Sequence, residues 1–213
     1  FAKPGVVLAG GPSSPEYASP PPDWLDHFWY PIDQGRCCPS LSLIDLGPQA
    51  HFVNAKLVFG LNFAIRKETW RAMGGFHPDC IPKALQRYQG DGETGLSSKI
   101  NDAGLKTLYH PKMAVTHMIP AARLAPEYFV QRAYYQGVCD SYTAIRKSGL
   151  PPRPKYTLLD YAREGLSRTK RFFIPTLKEP PSHPIIDKAG ASYQAGRRFH
   201  TDSVAADPNL LAW

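Results

Sequence analysis

The sequence predicts an α/β protein, a mixed sheet flanked by helices with a helical C-terminal extension. Three observations carry this. Val6-Val7-Leu8-Ala9 is a short apolar run closed by Gly10-Gly11-Pro12, as a buried strand would be. Thr94 to Ala103 carries Leu96 and Ile100 on one helical face, stops at Gly104 and is followed by the strand-like runs Lys106–Tyr109 and Ala114–Ile119. Pro126 opens a long helical stretch to about Lys147, ended by Gly149 and Pro151. Strands alternating with helices define the α/β class.

The intervening elements follow in order. The proline-rich run Ser13–Pro22 reads as a loop, after which Asp23 is placed to cap a short helix carrying Trp24, Leu25, Phe28 and Trp29. Residues 31–55 have weak periodicity and are assigned only loosely. Leu57–Ile65 is a second apolar segment, interrupted by Gly60-Leu61-Asn62, and Lys67–Met73 reads as a short helix stopped by Gly74-Gly75. Past the prolines at 151–154, Leu158–Phe173 reads as a basic helix. Residues 1–150 are expected to form one domain, and 151–213 a proline-rich linker with a helical extension.

Composition narrows the class of protein. The chain has 213 residues, 43% hydrophobic and 20% charged, ordinary for a globular domain with a real core. No run approaches a membrane span, and the first residues lack the basic start and apolar stretch of a signal peptide. The expected location is cytoplasmic. The net charge is +7, and the excess of base lies beyond residue 60. Such a balance reads first as a solvated basic surface; it also favours anionic partners such as phosphates, an acidic membrane surface met peripherally, or nucleic acid, without choosing among them. The basic residues are scattered and no nucleic-acid motif accompanies them, so nucleic acid is not an expected partner. Cys37, Cys38, Cys80 and Cys139 form no CxxC pair and no zinc spacing, which reads as buried or incidental thiols.

Three local features carry chemistry. Asp91 and Glu93 flank a glycine at the start of a predicted helix, where carboxylates favour the helix N-terminus; a carboxylate on such a loop also serves as a general base. His117 ends a strand-like run, as a packed histidine or as a metal ligand. Gly60-Leu61-Asn62 reads as a β-bulge or as backbone that approaches a ligand closely.

Their order and spacing resemble the family 2 glycosyltransferases. The run Gly60-Leu61-Asn62-Phe63-Ala64-Ile65-Arg66-Lys67 followed by Trp70 and Gly74-Gly75-Phe76 is similar to that family's glycine-x-asparagine loop, basic strand end and Gly-Gly-Phe. Asp91-Gly92-Glu93-Thr94-Gly95-Leu96 resembles its acidic segment, and Tyr109-His110-Pro111 through His117 its strand pair ending in histidine. The likeness covers about residues 5–150.

The resemblance implies a partial GT-A-like mixed sheet and the transfer of a sugar from a nucleotide-sugar donor to a hydroxyl of a glycan or lipid-linked acceptor, with inversion. It implies Glu93 as the base with Asp91 second, and His117 beside a divalent metal, Mn2+ or Mg2+. Gly60, Leu61 and Asn62 would lie at the donor–acceptor junction, and Arg123, Arg132 and Tyr135 would meet phosphates or acceptor. Gly92 stands where the family carries an acidic residue. The Asp-x-Asp of the family's nucleotide-binding half has no counterpart in these residues, so the chain is expected to be the acceptor half of such an enzyme. The alternative is a non-catalytic glycan- or protein-binding module of the same fold.

Overall fold

In the computed structural model, residues 4–79, 81–148 and 183–211 are described. They form a mixed α/β fold with two sheets. The first is four-stranded, in the order β6-β8-β1-β7, with β1 Val6–Gly10, β6 His51–Val53, β7 Ala64–Ile65 and β8 Lys106–Tyr109. The second is five-stranded, in the order β3-β4-β5-β2-β9, with β2 Ser13–Tyr17, β3 Tyr30–Ile32, β4 Gly35–Cys38, β5 Leu43–Asp45 and β9 Val115–Ile119.

β1 is buried along its whole length, as its unbroken apolar run requires of a strand covered on both faces. It lies parallel to β8 and antiparallel to β7. The chain leaves both β1 and β8 for the second sheet, where β2 and β9 again pair in parallel, Ser13 with Val115 through Tyr17 with Ile119. The crossing is held by His110 N–H to Gly10 O and Val115 N–H to Pro12 O, both 2.9 Å.

β2 corrects the expected loop over Ser13–Pro22. Pro15 is tolerated within it because β5 pairs with β2 only at Ser13, which leaves the side of the strand at Pro15 without a partner on that edge. Asp23 does not cap a helix. It is the first residue of a 3-10 turn, Asp23–Phe28, whose N-cap position is held by Pro22. Gly60–Asn62 is likewise a 3-10 turn and not a bulge.

Four α-helices complete the described fold: α1 Lys67–Ala72, α2 Gly92–Asp102, α3 Pro126–Ser148 and α4 Pro184–Ala206. α2 begins two residues before the expected start because Gly92, at φ +53°, makes the entry turn; a side chain there would also run against the Asp79 carboxylate. The expected helix Leu158–Phe173 lies outside the described residues. α3 and α4 pack along each other, and Ile185 and Ala189 of α4 share a core with Leu25, Phe28, Leu43, Ile119 and Phe129. Residues 183–211 therefore close the same core that residues 25–129 begin. Among the described residues, no helix is long and apolar enough to cross a membrane.

Candidate functional site

Glu93 is in the first turn of α2, and its Oε1 accepts the Gly60 N–H at 3.2 Å. A Cβ on Gly60 would lie 3.1 Å from that oxygen, so glycine lets the backbone come this close. The sequence places these residues 33 positions apart, and the fold makes them neighbours.

Glu93 lines a cleft of about 590 Å³. One wall is the start of α2, with Glu93, Thr94 and Ser97. Another is α3, with Arg132, Ala133, Gln136 and Asp140, and a third is α4, with Ile186, Ala189, Gly190 and Tyr193. Phe28, Tyr30, Phe59 and Phe129 add aromatic surface, and Lys56 a second cation. Asp140 is fully engaged, by Gln136 Nε2 at 2.8 Å and by the Tyr193 hydroxyl at 2.7 Å. The cleft thus combines a carboxylate, cations and aromatic rings.

The other expected residues are placed elsewhere. Asp91 is 3% exposed and does not line the cleft. Its Oδ1 meets His77 Nδ1 at 2.5 Å, and its Oδ2 accepts the Thr143 hydroxyl at 2.7 Å. It ties the start of α2 to α3. Asn62 Nδ2 donates to Met113 O at 2.6 Å and Gly11 O at 3.3 Å, which pins the crossing between the two sheets. Leu61 is 38% exposed beside it. The Tyr135 hydroxyl accepts from Gln131 at 2.9 Å, and its carbonyl accepts from Gln89.

His117 and Arg123 are brought together, and neither lines the cleft. A guanidinium only donates and a carbonyl only accepts. His117 therefore donates from Nδ1 to Leu41 O at 3.0 Å and accepts on Nε2 from Arg123 at 3.4 Å. Arg123 also lies 5.7 Å from the Tyr128 ring. The Nε2 lone pair that would bind a metal faces a cation. Among the described residues no three His, Cys, Asp or Glu side chains gather as a metal site. These residues do not fit the divalent metal that the resemblance implies.

Sequence reasoning missed Ser97 and the His77–Asp91 pair. Ser97 stands one helical turn beyond Glu93, is 1% exposed and has a hydroxyl with no hydrogen-bond partner among the described residues. Its i+4 spacing from Glu93 was the available signal. Nothing in the sequence pairs His77 with Asp91 until the loop between them folds back. A smaller cleft of about 400 Å³ lies elsewhere on the second sheet, with Asp23, Asp26 and Asp45 around Arg36, which stacks 4.6 Å from the Trp29 ring. None of the expected site residues lines it.

No known protein family, curated protein or solved structure matches the chain.

Proposed function

We propose that this chain carries the acceptor side of a glycosyltransferase, which moves a sugar from a nucleotide-sugar donor to a hydroxyl of a glycan or lipid-linked acceptor with inversion. The observation that carries the reading is the Glu93 carboxylate at the wall of the 590 Å³ cleft, beside Gly60 and in the same cavity as Arg132. In this reading Glu93 takes the proton of the attacking hydroxyl, and the Gly60 N–H fixes the carboxylate so that its other oxygen is turned to the acceptor. Arg132 supplies positive charge to the cleft, which favours an anionic donor or acceptor. The aromatic walls exclude water and stack on sugar faces. The reaction belongs in the cytoplasm, at the inner membrane face when the acceptor is lipid-linked. The reading assigns a divalent metal no donor set among the described residues and rests on Glu93.

The test is sugar transfer by the longest polypeptide the gene encodes, offered a panel of nucleotide sugars and read as release of nucleoside diphosphate. Turnover that Glu93→Gln abolishes while acceptor binding persists supports the enzyme. Acceptor binding with no turnover from any donor supports the second reading, a glycan-binding module.

A further inference from the structure

We propose that the outer face formed by α1 and the Gly74-Gly75-Phe76 turn docks on an anionic membrane surface. This deepens the membrane-face part of the reading above and does not depend on sugar transfer, because vesicle binding is measured without turnover. Among the described residues, four large aromatic side chains are exposed, namely Tyr30, Phe52, Trp70 and Phe76. Of these, Trp70 and Phe76 are in ring contact with each other, with centroids 6.4 Å apart. Phe76 also meets Phe63 at 5.7 Å, so the pair stands on an aromatic base and is held in place. Trp70 is 37% exposed and Phe76 51%, which leaves apolar surface in water with nothing over it among the described residues.

Charge decides what would cover this face. Lys67 lies three residues from Trp70 on α1, and Lys67 and Arg71 lie four apart, so two exposed cations stand on the same short helix as the tryptophan. Lys99 Nζ reaches Met73 O at 2.7 Å, which sets a third cation beneath the same turn. The acidic Glu68 is answered by Arg66 at 3.7 Å. An aromatic pair ringed by lysine and arginine is complementary to a bilayer interface: indole and phenyl settle at the headgroup level while the cations meet lipid phosphates. β7, the outermost strand of the first sheet, immediately precedes α1, so this face sits at a free edge of that sheet.

The experiment is sedimentation of the chain with vesicles of phosphatidylcholine alone and of phosphatidylcholine mixed with phosphatidylglycerol. Binding to the anionic vesicles is expected to be at least about tenfold stronger and to weaken as salt is raised. Trp70→Ser with Phe76→Ser, and separately Lys67→Glu with Arg71→Glu, should each lower it about tenfold. Both pairs are exposed, and unchanged far-ultraviolet circular dichroism checks their fold. Phe52→Ser with Lys106→Glu is the control, since Lys106 lies over the Phe52 ring at 5.5 Å on the opposite side of the same sheet. Equal loss in the control would reduce the effect to net charge and overturn the proposal. So would equal binding to neutral vesicles, no effect of the two pairs, or a dimer that buries Trp70 without lipid. Vesicle binding with no sugar transfer would sink the enzyme reading and leave this inference standing; the reverse result would do the opposite.

Discussion

Gly137 on α3 and Gly196 on α4 face each other's backbone. A Cβ on Gly137 would run into the carbonyl of Tyr193, and one on Gly196 into the carbonyl of Tyr134. The two helices thus approach at the distance their peptide groups allow, and no side chain intervenes. Gly196→Ala should force them apart and cost about 3 kcal/mol, the upper range for overpacking a filled interior. Urea unfolding followed by circular dichroism measures this. A loss below about 1 kcal/mol would mean the helices slide apart freely.

Glu93 and Asp91 stand two residues apart and do different work. Glu93→Gln should lower turnover by roughly a hundredfold or more while leaving the melting temperature near that of the parent. Asp91→Asn should instead weaken the hold on His77 and Thr143 and destabilise the fold by about 3 kcal/mol, as loss of one partner in a buried pair does. Paired melting and turnover measurements separate the two. An unstable Glu93→Gln or a stable, inactive Asp91→Asn would exchange the roles.

His200 makes stability depend on pH. Burial holds its imidazole neutral and lowers its pKa from 6.5 to about 4, with the Asp91 charge opposing in part. Its ring lies against Tyr142, and Nδ1 bonds the Ser141 hydroxyl at 3.0 Å. Between pH 6.5 and 4 the unfolded chain takes up a proton that the folded chain refuses. The stability present above pH 6.5 is therefore lost as pH falls toward 4, by about 3 kcal/mol in all. Melting temperature against pH for the parent and for His200→Gln reads this contribution, and the variant should show a shallower fall. Parallel curves would assign the slope to other groups.

The three described thiols should be silent in the folded protein; Cys80 lies outside the described residues. Cys37, Cys38 and Cys139 are free and buried. Burial pushes the Cys38 thiol up to about 11 and the Cys139 thiol higher, Asp79 adding to the latter. Neither presents thiolate near neutral pH. Iodoacetamide followed by peptide mass mapping should label Cys38 and Cys139 in urea and not in buffer. Labelling of Cys139 in buffer would show that α3 opens locally.

Much of the fold was legible because local signals were strong. Lys106–Tyr109 is a strand as its strand-like run indicates, and Pro126 opens α3 as a proline at the first helical position should. β2 was hidden because Pro15 signals a loop, and only its pairing with β9 overrides that signal. The cleft was legible in part. Glu93 and Arg132 were named by the resemblance, and both line it. The division of labour between Asp91 and Glu93 was not, because it depends on which way each faces at the turn of α2. That is set by His77 and Thr143, both distant in sequence. His117 was expected beside a metal, and its actual neighbour Arg123 is a contact of side-chain geometry that spacing does not fix.

α4 supplies one wall of the cleft through Ile186, Ala189, Gly190 and Tyr193. This sets an order of events during synthesis. When α2 has left the ribosome, Glu93 borders an open groove, and the cavity acquires its remaining wall only after residue 193 has emerged. A product halted between α3 and α4 would carry the Glu93 carboxylate without the wall that α4 supplies.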